Sequence, residues 1–205
     1  NHQNEFRTFP VQFALGEIKE NISISTETSP KHSKEQLLNL GLKFHKLGNI
    51  LEAKKYYKYF INEGFLDSRV FSNYAIILNE LGKSKEAENY ILKAIEINPN
   101  SAIAYSNRGN ILSDLGNLNE AELSIRKAIE IKPNFAQAHS NLSRILIELG
   151  RSKEAELSIR KAIEIKPDLS EAHSNLGIIL KDLGNLKEAE LSIRKSIELN
   201  PSVAN

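Results

Sequence analysis

The segment AELSIRKAIEIKP runs from Ala121 to Pro133 and returns unchanged from Ala155 to Pro167. A close copy, AELSIRKSIELNP, runs from Ala189 to Pro201, and a weaker one, AENYILKAIEINP, runs from Ala87 to Pro99. Successive copies begin 34 residues apart. A period of this length is typical of proteins built by stacking one supersecondary unit several times. We therefore expect the repeated unit to decide the fold.

The period divides the chain into five units, of which the first is the most divergent. They span 34–67, 68–101, 102–135, 136–169 and 170–203. Residues 1–33 do not fit the repeat, and their polar, hydroxyl-rich end is typical of a linker. Residues 204–205 would begin a further unit, so we expect the chain to be part of a longer protein.

Each unit has the pattern of two helices joined by a turn. In the third unit apolar residues recur at helical spacing on both sides of Gly116, and Pro133 ends the second helix. A short polar residue follows each such proline, where it could accept a hydrogen bond from the next helix. Those predicted caps are Asn100, Asn134 and Asp168. The pattern predicts an all-α fold.

Counted from the first residue of each unit, certain places keep their character. The eighth place is small: Gly41, Ala75, Gly109, Ser143 and Gly177. The twentieth is alanine: Ala53, Ala87, Ala121, Ala155 and Ala189. The thirty-second is proline in four units: Pro99, Pro133, Pro167 and Pro201. The twenty-seventh is small in the same four units: Ala94, Ala128, Ala162 and Ser196. The first unit departs from the pattern with Phe60 at the twenty-seventh place and Phe65 at the thirty-second.

This set of places resembles the tetratricopeptide repeat family. The resemblance covers about four fifths of the chain. It implies a right-handed α-solenoid of five helix-turn-helix units, with the first helix of each unit lining a concave groove. Its implied function is protein-protein interaction, as a scaffold that binds an extended peptide or a partner protein.

Composition argues against several other classes of function. The formal net charge is +1, so no whole-molecule field would attract nucleic acid, and no apolar run approaches the length of a membrane span. We therefore expect neither nucleic acid nor membrane as a partner. The absence of cysteine fits a reducing compartment, which makes the cytoplasm the expected location.

Catalytic and metal-binding patterns are missing from the sequence. The segment GKS at residues 82–84 lacks the first glycine of a phosphate-binding loop. His139 and His173 adjoin Ser140 and Ser174, but adjacent helical residues point apart, which favours a structural role for both histidines. We expect no enzyme, no metal site and no cofactor.

Six places of each first helix, the second, fifth, sixth, ninth, twelfth and thirteenth, share one stripe. We call it the groove stripe, and its composition is too polar for a core. All five units carry asparagine at the sixth place, and an asparagine amide can pair with a peptide group. Helices about 10 Å apart would offer one amide for about every three residues of an extended peptide. The predicted peptide-binding residues are Asn39, Asn73, Asn107, Asn141, Asn175, Asn110, Arg144, Asp114, Glu148 and Asp182.

Three alternatives remain open at this point. The asparagines could satisfy backbone groups between neighbouring units instead of binding a peptide. Similar asparagine ladders occur in the repeat region of protein O-GlcNAc transferases, so the chain could be the substrate-recognition arm of a larger glycosyl- or sulfotransferase. The fifth unit lacks a polar capping helix in this sequence, so self-association through it is also expected.

Overall fold

The computed structural model describes residues 32–200 of the chain. Within that range the chain forms ten helices and no strand. They are α1 (Lys34–Lys46), α2 (Ile50–Asn62), α3 (Ser68–Glu80), α4 (Ser84–Ile97), α5 (Ala102–Asp114), α6 (Leu118–Ile131), α7 (Ala136–Glu148), α8 (Ser152–Ile165), α9 (Ser170–Asp182) and α10 (Leu186–Leu199). The prediction of an all-α repeat fold is confirmed. The predicted linker before residue 32 and Pro201 lie outside the described residues.

The helices pack as hairpins in two compact units. Each odd-numbered helix packs on the even-numbered helix that follows it. The first compact unit contains α1 to α4 and so the first two repeats, and the second compact unit contains α5 to α10 and so the other three. Inside each unit the second helix of one hairpin also packs on the first helix of the next. A hairpin therefore buries its second apolar face only against a neighbour.

Small side chains allow the two helices of a hairpin to approach closely. Ala121 and Ala155, at the twentieth place of their repeats, have no exposed surface. Opposite Ala121 lies Gly109, where an added Cβ would stand 3.2 Å from the Ala121 carbonyl oxygen and would collide with the side chain of Ile125. The small residues at the eighth and twentieth places therefore set the distance between the helix axes.

The turn inside each hairpin depends on a glycine in the left-handed region. Gly116 has φ of 80°, and its N-H donates to the Ser113 carbonyl oxygen at 2.9 Å. The next N-H, of Asn117, donates to the Leu112 carbonyl oxygen at 2.8 Å. These two bonds make a Schellman motif, which ends α5 and leads directly into α6.

The prediction of polar caps after each proline is wrong for three helices. The residue at the cap of α5 is Ser101, whose hydroxyl accepts from the Ala104 N-H, and α7 and α9 begin after Phe135 and Leu169. Neither apolar residue makes a side-chain cap bond, and each is 8% exposed. Burying such a side chain stabilises by about 1.5–3 kcal/mol, against about 1 kcal/mol for a cap. Packing therefore outweighs capping at this position.

Replacing Gly116 by alanine isolates the conformational cost of the turn, because no atom lies within 4 Å of an added Cβ. We expect Gly116→Ala to lower the free energy of unfolding by about 1–2 kcal/mol, since a β-carbon disfavours positive φ. Gly116→Asn is the matched control, because asparagine tolerates this region better. Urea unfolding followed by circular dichroism measures both. Equal stability of the two variants would contradict this explanation of the turn.

Candidate functional site

The asparagines of the groove stripe are buried in the structure. Relative exposure is 1% for Asn73, 0% for Asn107, 3% for Asn141 and 5% for Asn175, whereas Asn39 is only half-buried. The expectation that this stripe lies outside the core is therefore wrong for these residues. First helices that stack side by side cover the middle of one another's stripes.

Two of these asparagines bond to the repeat that precedes them in the same compact unit. The Asn73 Nδ2 donates to the Tyr57 hydroxyl at 3.2 Å, and the Asn141 Nδ2 donates to the Ser106 hydroxyl at 3.3 Å. Both contacts join neighbouring repeats, but through side-chain hydroxyls and not through the backbone groups that the structural alternative named. Their binding of a peptide stays a prediction.

Asn110 and Arg144 form a different kind of group on α5 and α7. Asn110 is 3% exposed, and neither its Nδ2 nor its Oδ1 has a hydrogen-bond partner within residues 32–200. Arg144 is 6% exposed and uses Nη1 for both of its bonds, to the Ser113 hydroxyl at 2.9 Å and to the Glu148 carboxylate. Its Nε and Nη2 have no partner among the described residues. Four buried polar atoms on two stripe residues therefore lack a partner.

The predicted acidic residues lie at the exposed ends of the first helices. Asp114, Glu148 and Asp182 are all exposed. Glu148 is held by Arg144 and accepts a hydrogen bond from Ser113 at 3.2 Å. The second unit thus combines an acidic edge at the helix ends with a buried polar stripe.

A buried cluster in the first compact unit was not predicted from the sequence. The His45 Nδ1 lies 3.1 Å from the Tyr57 hydroxyl, which also accepts from Asn73. The Tyr57 hydroxyl can donate to Nδ1 or accept from it, depending on the His45 tautomer. Burial lowers the pKa of His45 and raises the pKa of Tyr57. The sequence signal was Tyr57 itself, because the other four repeats carry isoleucine at that place.

His139 and His173 have structural contacts. Their Nε2 atoms lie 3.0 Å and 2.8 Å from the carbonyl oxygens of Pro133 and Pro167, which can only accept a hydrogen bond. Each imidazole therefore ties the start of its repeat to the proline that precedes it. Over residues 32–200 no three histidine, aspartate or glutamate side chains are grouped to hold a metal ion. No helix in that range is long and apolar enough to cross a membrane.

Family comparison identifies the repeat. Models described as tetratricopeptide repeat match residues 68–101, 102–135, 136–169 and 170–203, which together make up about two thirds of the chain. The sequence has no significant match among curated proteins.

Several solved structures are similar to this chain. The thermophilic TPR protein TTC0263 of Thermus thermophilus has a TM-score of 0.73 and 22% identity, covering 82% of this chain and 92% of its own. MamA from Desulfovibrio magneticus RS-1 has a TM-score of 0.66 and 21% identity, covering 82% and 96%. PilF of Pseudomonas aeruginosa has a TM-score of 0.72 and 15% identity, covering 82% and 76%. Because the identities are this low, the similarity of these structures to the chain shows a shared fold and nothing more.

The His45 cluster makes the stability of the first compact unit depend on pH. We expect His45 to titrate below its ordinary pKa of 6.5, because burial disfavours the imidazolium. The unfolded chain then binds a proton at a higher pH than the folded chain. The contribution of His45 to stability is therefore complete above pH 6.5 and falls as the pH drops below that value.

An NMR titration of the histidine ring signals measures this pKa, and His45→Phe assigns the signal. The same variant is the control for stability, because the difference between its pH profile and that of the natural chain isolates His45. A midpoint at or above 6.5 would contradict the prediction.

Proposed function

Because the chain belongs to the tetratricopeptide repeat family, we propose that it is a non-enzymatic scaffold that binds an extended segment of a partner protein along the groove stripe. The family supports protein-protein interaction in general. The more specific part of the proposal concerns α5 and α7, where the stripe carries Asn110 and Arg144. The stripe is the proposed binding surface because its polarity exceeds what packing between repeats requires.

The observation that carries the proposal is the set of four buried atoms without partners on these two residues. Leaving a buried donor or acceptor unpaired costs about 1–3 kcal/mol. Native interiors contain few such groups, and each one calls for an explanation. A ligand that supplies the missing partners when it binds provides that explanation.

The chemistry of the four atoms fits a peptide backbone. The Asn110 amide has a donor and an acceptor, which match the carbonyl and the N-H of one peptide group. The Nε and Nη2 of Arg144 lie on the same edge of the guanidinium and can donate two parallel bonds to peptide or carboxylate oxygens. Together these groups would read the path of a backbone more than its side chains.

Access to the four atoms requires movement of side chains. Each atom is almost fully covered in the free protein. Rotation of the Asn110 and Arg144 side chains would expose them. The expected binding process is therefore local rearrangement of the stripe and not hinge motion of the repeats.

Substitutions at Asn110 and Arg144 test whether the stripe binds a peptide. We expect Asn110→Ala and Arg144→Met each to weaken binding of extended peptides by about tenfold or more, since each removes about 1.4 kcal/mol or more of pairing. Asn110→Ala should leave stability unchanged or raise it, because it removes unpaired buried polar atoms. Arg144→Met also breaks the Nη1 bonds to Ser113 and Glu148, so we expect it to lower stability, and its binding is measured well below its unfolding temperature. A peptide array followed by fluorescence anisotropy measures binding, and thermal unfolding measures stability.

Asn117→Ala is the matched control for Asn110→Ala. Asn117 is exposed in the turn of the same hairpin and makes no side-chain cap bond. Its replacement should change neither property. If the Asn110 and Arg144 variants bind peptides as the natural chain does, the stripe is not the binding surface.

A further inference from the structure

Helix α2 presents a solvent-facing row of residues that differs from its counterparts in the other repeats. The row follows helical spacing and borders a shallow surface. We call it the α2 row, and it consists of Leu51, Lys54, Lys55, Lys58, Tyr59 and Asn62. It contains three lysines and no acid, and one of the lysines, Lys55, is paired with Glu52 beside the row at 3.3 Å.

The corresponding rows in the other repeats are balanced by ion pairs. In the third, fourth and fifth repeats an arginine at the twenty-fifth place bonds to a glutamate at the twenty-first, as in Arg126 with Glu122 at 2.7 Å and Arg160 with Glu156 at 2.9 Å. The second repeat carries Leu92 at the twenty-fifth place. A lysine at the twenty-sixth place bonds to a glutamate at the twenty-ninth. These pairs are Lys93–Glu96, Lys127–Glu130, Lys161–Glu164 and Lys195–Glu198.

The first repeat has lost both of these pairs. Lys54 and Lys58 occupy the places of the glutamate and the arginine, and Asn62 occupies the place of the second glutamate. Within residues 32–200, Lys54 and Lys58 have no ion-pair partner. An attractive pair one helical turn apart has become a repulsive one, which costs a few tenths of a kcal/mol where the original pair stabilised by a similar amount.

This change brings no visible gain in packing. Tyr59 takes the place of the paired lysine and remains 50% exposed, and Leu51 at the other end of the row is 77% exposed. Two large apolar side chains therefore flank three lysines on the outside of the protein. A row that is less stable for the helix, yet combines apolar anchors with unpaired cations, has the composition of a binding surface.

We propose that the α2 row binds a short acidic segment of a partner protein, with carboxylates on Lys54 and Lys58 and an apolar side chain against Leu51 or Tyr59. A helix of 13 residues is about 20 Å long, which equals the length of about six residues of extended peptide. This surface lies on a second helix, so it is separate from the groove stripe of the first helices and does not rest on the function proposed for that stripe.

The extent of the basic surface favours a peptide over a nucleic acid or a membrane. The corresponding row of α4, in the same unit, carries Glu88 and Glu96 beside Lys85 and Lys93. The positive charge is therefore confined to a single helix. A bilayer or a nucleic acid backbone offers negative charge over a wider area and would also meet these glutamates.

Fluorescence anisotropy with a labelled acidic peptide of sequence EDLEEFDE tests the proposal on the full chain. We expect saturable binding that weakens with added salt, and no binding of the charge-reversed peptide KKLKKFKK. The double variant Lys54→Glu, Asn62→Glu places glutamate at the two positions where the other repeats have it. It should weaken binding by about tenfold or more, while ion pairing makes its helix at least as stable as the natural one.

Lys153→Glu with Asn119→Glu is the matched control, because it makes the same changes of residue type in the outer rows of α8 and α6. It should bind the acidic peptide as the natural chain does. Leu51→Ala should weaken binding without changing the salt dependence. The proposal is overturned if the Lys54→Glu, Asn62→Glu variant binds as tightly as the natural chain. It is also overturned if the chain binds phosphatidylserine vesicles or a single-stranded oligonucleotide but not the acidic peptide.

Discussion

The structure depends on how closely the two helices of each hairpin approach. Where an eighth-place glycine lies opposite a twentieth-place alanine, the space between the two helices holds only the methyl group of the alanine. A Cβ added at Gly109 would stand 3.2 Å from the Ala121 carbonyl oxygen and would collide with Ile125. A larger side chain there would separate the helices and expose the isoleucine beneath, Ile125, which has no exposed surface. Because a single hairpin cannot cover its own apolar faces, the same approach has to recur in every repeat. The period of 34 residues is the sequence record of that requirement.

The sequence predicted the features that follow from the 34-residue period, which are the helices and the turns between them. It did not predict the features that depend on the distance between neighbouring repeats. Helical periodicity, the turn glycines and the small places predicted the ten helices. The burial of Asn107 and Asn141 could not be predicted, because it depends on how tightly neighbouring first helices stack. The caps failed for a related reason: Phe135 and Leu169 pack into the core at a position where local rules favour a polar residue. The local pattern therefore described each repeat better than it described the contact between repeats.

The buried polar stripe contains side-chain atoms that are paired across repeats and others that are not. Asn73 and Asn141 bond across the contact between hairpins, so removing them would weaken the stacking itself. Asn110 and the free edge of Arg144 make no such contribution within the described residues, and their burial without partners costs stability. This difference matters for the interpretation of any substitution in the stripe. Arg144 belongs to both kinds, because its Nη1 bonds to Ser113 of the preceding repeat while its Nε and Nη2 have no partner within residues 32–200.

The divergence of the first repeat is concentrated at places where the other repeats agree. At one buried place Tyr57 replaces isoleucine and brings His45 and Asn73 into a single hydrogen-bonded group, so the change is compensated by new contacts. Phe60 replaces alanine and packs against Phe65, with ring centroids 5.4 Å apart, which is also compensated. On the outside of α2, Lys54 and Asn62 stand where the other repeats have glutamate, and Lys54 has no ion-pair partner within the described residues; the one ion pair there joins Lys55 to Glu52. Repeats that share one scaffold serve as controls for one another. By that comparison the interior of the first repeat differs from the others in ways that new packing contacts accommodate, whereas its outer surface carries more exposed charge and apolar area than theirs.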